Sequence, residues 1–210
     1  MLNKIVGVLG QVVDAGGSIV GIRHGTAEPD FTVERRIGSV EIRHYNPRIA
    51  AETTVAAEEE AARSEGFRRL ARYIFGGNTA KSKIAMTAPV AQQQSEKIAM
   101  TAPVATQRGA AGEWVIRFFM PAEHSLESLP VPNDERVHLV TVPAETVAVL
   151  RYSGVASLES IASHTDELLT TLRDNGFPTD GEPFSWFYDP PWTLPFRRRN
   201  EVAVRLGKVG

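Results

Sequence analysis

The order of the predicted secondary-structure elements constrains the fold of this chain more than any other feature. Apolar and polar residues alternate over 40–45 and again over 49–55, and Asn46-Pro47 marks a turn between them, which predicts a hairpin. A helix follows, with glutamates at its start, where the helix dipole favours carboxylates, and with Gly76-Gly77 at its end. Two more strands are predicted over 83–90 and 114–120. The order is therefore strand, strand, helix, strand, strand.

The second half of the chain repeats this order. Its strands are predicted over 137–142, 145–152, 184–188 and 200–206, and its helix over 157–175. A ββαββ unit used twice, in halves of about 32–120 and 135–206, predicts a single α+β domain over residues 31–210. We expect eight strands in a distorted, barrel-like antiparallel sheet with pseudo-two-fold symmetry, and two helices packed against it.

Residues 1–30 are predicted to form an N-terminal segment outside this domain. Apolar residues at helical spacing predict an amphipathic helix over 3–22, followed by a linker. They are Leu2, Ile5, Val6, Leu9, Val12, Val13 and Val20. We expect the apolar side of this helix to pack on the main domain or on another subunit. Since no run of about 18 apolar residues occurs, we expect no stable membrane insertion and a cytoplasmic protein.

The chain of 210 residues contains no cysteine, which excludes disulfide bonds, thiolate zinc sites, iron–sulfur clusters and thiol nucleophiles. Its 23 basic and 25 acidic residues give a net charge of 23 − 25 = −2, which argues against bulk electrostatic binding of nucleic acid. The five histidines show no zinc-binding spacing such as H-E-x-x-H. A cofactor would therefore have to be held by side chains other than cysteine.

An octapeptide, Lys-Ile-Ala-Met-Thr-Ala-Pro-Val, occurs twice without change. Its copies occupy residues 83–90 and 97–104, and polar linkers follow each of them. The ββαββ order needs one copy only. The other copy is predicted to be an inserted strand or part of a long flexible flap.

Four segments of the chain resemble the SOUL/haem-binding protein family, and they lie within about residues 32–206. They are Glu41-Ile42-Arg43-His44-Tyr45, the stretch from Gly66 to Gly76, the octapeptide, and Arg199-Asn200-Glu201-Val202. The resemblance implies a distorted antiparallel barrel with two helices. It also implies non-covalent binding of haem b or another tetrapyrrole, with a role in buffering, transport or storage.

His44 is the residue to which the resemblance assigns the iron. In the family, a histidine in the same Glu-Ile-Arg-His-Tyr setting is the proposed axial ligand, and His44 matches it. A neutral imidazole is a suitable ligand for haem iron. The same position is equally compatible with a strand histidine that faces solvent in front of a turn.

Two further groups of side chains are candidates for contact with haem. The thioethers of Met86 and Met100 are soft ligands for haem iron, although methionine in such a strand is also an ordinary filler of a core. Residues 63–83 hold six basic residues and one acidic residue, a local excess of 6 − 1 = +5. Arg68, Arg69 and Arg72 in this stretch are predicted to contact the anionic propionates, or else to form a solvated helix face.

Catalytic motifs are missing from the sequence, which contains neither a G-x-S-x-G nucleophile elbow nor a glycine-rich phosphate loop. An enzyme is therefore not favoured. Glu52, Glu145 and Glu201 lie in predicted strands, and a buried carboxylate would keep two alternatives open. The first is an enzyme that removes iron from bound haem or opens its ring. The second is an effector-binding or hydrolase domain of the related fold.

Overall fold

The computed structural model describes residues 28–80, 97–99, 101–109, 112–189 and 192–207. The predicted α+β class is confirmed: these residues form a nine-stranded antiparallel sheet, a separate two-stranded sheet and two helices. The strands are β1 (Phe31–Ile37), β2 (Val40–Tyr45), β3 (Arg48–Val55), β4 (Asn78–Thr79), β5 (Val104–Arg108), β6 (Trp114–Phe119), β7 (Val131–Pro132), β8 (His138–Val142), β9 (Glu145–Tyr152), β10 (Thr179–Phe187) and β11 (Asn200–Leu206). The helices are α1 (Glu59–Ile74) and α2 (Leu158–Asp174), and a 3₁₀ turn covers Pro195–Arg197.

The order of strands in the large sheet is β1-β2-β9-β11-β10-β5-β6-β3-β8, so β2 and β3 are not neighbours. The hairpin predicted across Asn46-Pro47 is therefore wrong. A two-residue hairpin loop needs a positive φ, and the proline ring holds φ near −65°. The tight hairpin joins β1 and β2 instead, where Gly38 has a φ of 57°.

β2 and β3 are two parts of one bent strand. β2 pairs with β9, β3 pairs with β8, and β8 and β9 are also separated by only two residues, 143 and 144. From β9, neighbouring strands follow in the order β11, β10, β5, β6 and β3, and β3 pairs with β8. Because β8 leads directly into β9, the series ends beside the segment where it began. The sheet thus curves back on itself. It is barrel-like but not a closed barrel, because the edge strands β1 and β8 do not pair with each other in the described part of the chain.

The pairings are symmetric between the two halves. The pair β3·β6 corresponds to β9·β11, and β5·β6 corresponds to β10·β11. The pair β2·β9 corresponds to β3·β8, while β5·β10 lies at the centre of the sheet. The order β2, β3, α1, β5, β6 accordingly matches the order β8, β9, α2, β10, β11.

Three apolar clusters hold the domain together. One fills the inside of the curved sheet around Trp186, and the other two lie between its outer face and the helices. α1 approaches β6 closely, because a Cβ atom at Gly66 would lie 2.7 Å from Ile116 Cγ1. Ser157 caps the start of α2, because its hydroxyl accepts a hydrogen bond from the Ser160 amide at 3.2 Å.

Several predictions fall outside the described residues: the helix over 3–22, the strand over 83–90, and the side chains of Met86 and Met100. The second octapeptide copy contributes Val104 to β5, and this strand continues through residues that were predicted to be a linker. Neither described helix is long and apolar enough to cross a membrane.

Candidate functional site

His44 lies near the end of β2 with 40% of its side chain exposed. Its Nδ1 is 3.1 Å from Thr146 Oγ1 on β9 and 4.0 Å from Glu34 Oε1 on β1. Nε2 has no hydrogen-bond partner among the described residues. One ring nitrogen is therefore oriented by the sheet and the other is open to a ligand, as metal-binding histidines require.

Arg68, Arg69 and Arg72 lie on α1, away from His44. Arg68 Nη2 pairs with Glu65 Oε2 at 2.8 Å. Arg69 Nε pairs with Glu65 Oε1 at 3.0 Å, and Arg69 Nη1 also donates to the Thr54 carbonyl at 3.1 Å. Arg72 is exposed and forms no ion pair within the described ranges. Arg69 is thus part of the packing of α1 on β3, and only Arg72 of the three is unpaired.

The carboxylate of Glu201 is completely buried inside the curved sheet and is fully paired. Arg43 donates two hydrogen bonds to it at 2.9 and 3.1 Å, Arg199 donates one at 2.9 Å, and the Tyr188 hydroxyl donates one at 2.7 Å. Burial raises the pKa of Tyr188 well above its usual range. Burial alone would lower the pKa of Arg43, but its bonds to Glu201 raise it overall, so the arginine stays charged. This cluster is a structural ion-pair network.

The other two strand carboxylates are paired as well. Glu145 accepts hydrogen bonds from Arg48 and, at 2.7 Å, from Arg205. Glu52 accepts one from Arg117 Nε at 2.6 Å. None of the three carboxylates is available as an unpaired acid or base, and the described residues hold no group of three or more metal-binding side chains.

The described residues leave little free space inside the sheet. A cavity of about 10 Å³ remains beside Glu145, Arg205 and Trp186, which is room for roughly one water molecule. A ligand as large as a porphyrin cannot enter it. Among the described residues, the outer face of the sheet is therefore the better candidate for a binding site.

Both helices cover this outer face and leave its central strands between them. α1 packs on β3 and β6, and α2 packs on β9 and β11. Residues directly opposite each other in a sheet share a face. One such row is Phe118, Val104, Phe187, Asn200 and Tyr152, and the next is Ile116, Thr106, Ser185, Val202 and Leu150. The side chains of β5 and β10 in these rows form the floor between the helices.

We call this area the interhelical surface and define it by Arg63, Phe67, Thr106, Tyr152 and Phe187. The Arg63 guanidinium lies 4.7 Å above the ring of Phe187 and forms no ion pair within the described residues. Phe67 is 38% exposed and packs edge-on against Phe118, with ring centroids 5.3 Å apart. The surface thus offers aromatic rings beside an unpaired cation.

Two buried hydroxyls of the interhelical surface have no hydrogen-bond partner among the described residues: Tyr152 OH and Thr106 Oγ1. Such groups are rare in folded proteins, because an unpaired buried hydroxyl costs free energy. Burial raises the pKa of Tyr152 to about 12, although the charge of Arg63 acts in the opposite direction. Tyr152 therefore keeps its proton and remains a donor without an acceptor.

His164 of α2 stacks on Tyr152, with ring centroids 4.0 Å apart. Its Nδ1 is 2.7 Å from the Ser160 carbonyl oxygen. Because a carbonyl only accepts hydrogen bonds, Nδ1 carries the proton and Nε2 is the basic nitrogen of the neutral ring. From the sequence, His164 lies at the edge of an apolar helix face, where a packed histidine is more common than a ligand, and Tyr152 has no assigned role. Only the strand register places both in the same area as Arg63.

The structure does not bring His44 to this surface. His44 pairs with Thr146, and Tyr152 lies six residues further along β9, roughly 20 Å away at the usual rise of a strand. The side chains predicted from the sequence and those of the interhelical surface are therefore two separate candidates for contact with a ligand.

Comparisons with known proteins agree with one another. The sequence model of the family described as "SOUL heme-binding protein" matches residues 26–205. Heme-binding protein 2 of Homo sapiens is 31% identical over 167 residues, which cover 79% of this chain and 77% of that protein. Heme-binding protein 1 of Xenopus tropicalis is 27% identical over 155 residues, which cover 73% of this chain and 75% of that protein.

Among solved structures, the C-terminal domain of EcmrR superposes with a TM-score of 0.52 at 13% identity. The match covers 81% of this chain and 98% of that domain. An uncharacterized conserved protein from Listeria innocua gives a TM-score of 0.51 at 11% identity, over 88% of this chain and 94% of the other. At these identities the likeness concerns the fold alone.

Proposed function

The chain belongs to the SOUL heme-binding protein family, and we propose on this basis that it binds haem without a covalent bond. The proposal draws on the names of its curated relatives, two of which are called heme-binding proteins 1 and 2. The finer role that we propose is buffering, transport or storage of haem b or a related tetrapyrrole in the cytoplasm. The pairing of Glu52, Glu145 and Glu201 with arginines favours binding over acid–base catalysis.

We propose the interhelical surface as the place where the porphyrin binds. Bound haem supplies an apolar ring, two propionates and an iron that accepts axial ligands. Phe67 and Phe187 offer the ring an aromatic contact, and Arg63 offers a propionate an unpaired guanidinium. The observation that carries this placement is the Tyr152 hydroxyl beside Arg63, because it is a buried donor for which the described residues supply no acceptor.

The iron ligand has two candidates. His44 matches the family motif and has an open Nε2, while His164 lies on the proposed surface and has its basic nitrogen at Nε2. A hydrogen bond from Nδ1 to a backbone carbonyl is the usual way in which a metal-binding histidine is oriented. His164 has this bond and His44 does not, which favours His164 for a haem on this surface.

Hemin titration of the purified protein tests the binding proposal. We expect a 1:1 Soret shift, and we expect Arg63→Ala to weaken the affinity by roughly tenfold, the value of one charge-assisted hydrogen bond. Arg68→Ala is the matched control, because Arg68 lies on the same helix and is already paired with Glu65. If the parent protein shows no Soret shift, the proposed function is wrong. If Arg68→Ala weakens binding and Arg63→Ala does not, the site is wrong.

Absorption and electron paramagnetic resonance spectra of the hemin complex separate the two histidines. We expect His164→Ala to change the spin state of the iron and added imidazole to restore it, while His44→Ala leaves both spectra as they are. The reverse result would assign the iron to His44.

A further inference from the structure

The loop before α2, the first residue of α2 and the segment 192–197 carry exposed apolar side chains. Five large side chains are between 40% and 69% exposed: Val155, Leu158, Trp192, Leu194 and Phe196. These segments are bonded together, because the Gly154 amide donates to the Pro195 carbonyl at 2.9 Å and Asn200 Nδ2 donates to the Gly154 carbonyl at 3.1 Å. Exposed apolar side chains grouped in this way usually mark an interaction site. We call this group the Trp192 surface.

The N-terminal segment joins the domain close to this surface. Arg199 Nη1 donates to Glu28 Oε2 at 2.9 Å, and Arg199 follows the 3₁₀ turn that contains Phe196 by two residues. The same guanidinium is bonded to the completely buried Glu201. Glu28 is therefore held at a fixed point beside the Trp192 surface, with 27 residues of chain before it.

The sequence of these 27 residues is complementary to an apolar surface. Leu2, Ile5, Leu9 and Val12 share one side at helical spacing, whereas Gln11 falls on the opposite side. The eight Cα–Cα steps from Val20 to Glu28 span at most about 28 Å when extended, which is enough to reach the Trp192 surface from Arg199.

We propose that residues 1–27 bind back onto the Trp192 surface of the same chain through this apolar side. The tether favours this occupant over one from solution, because a short flexible linker holds a segment at an effective concentration near the millimolar range. Binding covers the exposed rings of Trp192 and Phe196 in the monomer. The proposal is independent of haem binding.

Fluorine NMR of the full chain labelled with 5-fluorotryptophan tests this proposal. The chain contains three tryptophans, and Trp192→Phe assigns the resonance of Trp192. We expect this resonance to show no shift between H₂O and D₂O in the wild type. We expect the shift to appear in the Leu9→Asp, Val12→Asp double variant, which places charges on the apolar side, and not in the control Gln11→Asp.

Trypsin cleavage after Arg23 gives an independent measurement, and Trp192→Ala with Phe196→Ala should accelerate it. A solvent-exposed Trp192 in the wild type would overturn the proposal, as would a shielded Trp192 in the double variant. Shielding that disappears on dilution, together with a fall in molecular mass, would show that a second copy is the occupant and would also overturn it.

Discussion

Tyr152 carries a buried hydroxyl for which the described protein offers no acceptor. An unpaired buried hydroxyl reduces stability, so its presence calls for a reason outside the packing of the fold. In the proposed function, contact with haem supplies that reason. If the proposed function is right, Tyr152 lowers the stability of the free protein and contributes to binding, a combination that is common at functional sites.

Tyr152→Phe is therefore expected to raise the free energy of unfolding of the free protein by about 1 kcal/mol, because it removes an unsatisfied polar group. The same variant should bind hemin more weakly. Tyr73→Phe is the control, since the Tyr73 hydroxyl donates to the Pro130 carbonyl at 3.0 Å and its loss should cost about 1 kcal/mol. Urea unfolding measures both. A Tyr152→Phe protein that is less stable than wild type would contradict this account.

The raised pKa of Tyr152 makes stability depend on pH in the alkaline range. The group ionises near 10 in the unfolded chain and near 12 in the folded protein, so its neutral form is favoured by folding. Its contribution is fully present below about pH 10 and is lost as the pH rises through about 12.

We expect the wild type to lose stability over this window more steeply than Tyr152→Phe does, when unfolding free energies are measured from neutral to alkaline pH. Some loss will remain in the variant, because burial also raises the pKa of Tyr45 and Tyr188. Parallel curves for the two proteins would show that Tyr152 titrates normally.

At the scale of elements, Gly66 sets the distance between α1 and the sheet. A methyl group at this position would lie 2.7–2.9 Å from three atoms of Ile116, which is completely buried. Alanine is the better helix former by about 1 kcal/mol, but crowding of a packed core costs about 1–3 kcal/mol. The cost of crowding the core is therefore expected to exceed the gain in helix propensity.

Gly66→Ala should accordingly lower the free energy of unfolding by up to about 2 kcal/mol, which is the crowding cost less the gain in helix propensity. Ser64→Ala, at an exposed position of the same helix, should change it by less than about 0.5 kcal/mol. Thermal and urea unfolding provide the comparison. An unchanged or stabilised Gly66→Ala protein would show that α1 moves away from β6 at no cost.

Much of the element order could be predicted from local patterns, because both helices and β9 and β11 keep their periodicity over many residues. The partners of β2 and β3 could not be predicted in this way. Alternation shows that a segment is a strand but not which strand lies beside it, and Pro47 indicates a bend as readily as a turn. β1 was missed because its residues are mostly exposed and include Glu34, Arg35 and Arg36, which hide the alternation.

The candidate site was harder to predict than the fold. A motif directs attention to His44 within one strand, whereas Arg63, Tyr152 and His164 come from three separate elements. Only the register through β11, β10 and β5 places them near one another. A hydroxyl without a partner is also invisible in a sequence, since it is defined by what surrounds it.

At the scale of the whole molecule, the two copies of the octapeptide differ in what the structure describes. The second copy contributes a residue to a strand, and the first copy lies outside the described residues. Val104, the last residue of the second copy, begins β5 and pairs with β6 and β10. The described sheet thus draws on the second copy, while residues 83–90 lie outside the described residues.

Deletion of residues 83–96, which leaves a single octapeptide, should preserve the fold. It shortens the connection between Thr79 and Ile98, and loop-closure entropy changes by only about 1 kcal/mol for such a difference in length. Circular dichroism and the thermal unfolding midpoint check this expectation. Loss of cooperative unfolding would mean that the first copy is part of the folded core.

Residues 40–55 (β2 and β3) pair with residues 138–152 (β8 and β9), and this long-range pairing also constrains how the chain folds. His44 and Thr146 are cross-strand partners although they are 102 residues apart in sequence. Contacts of such long range slow folding, and none of them can form before the second half has been synthesised. Until then β2 and β3 have open edges, which makes a chain that ends early prone to aggregation. The two halves resemble repeats in their connectivity, but neither is an autonomous folding unit.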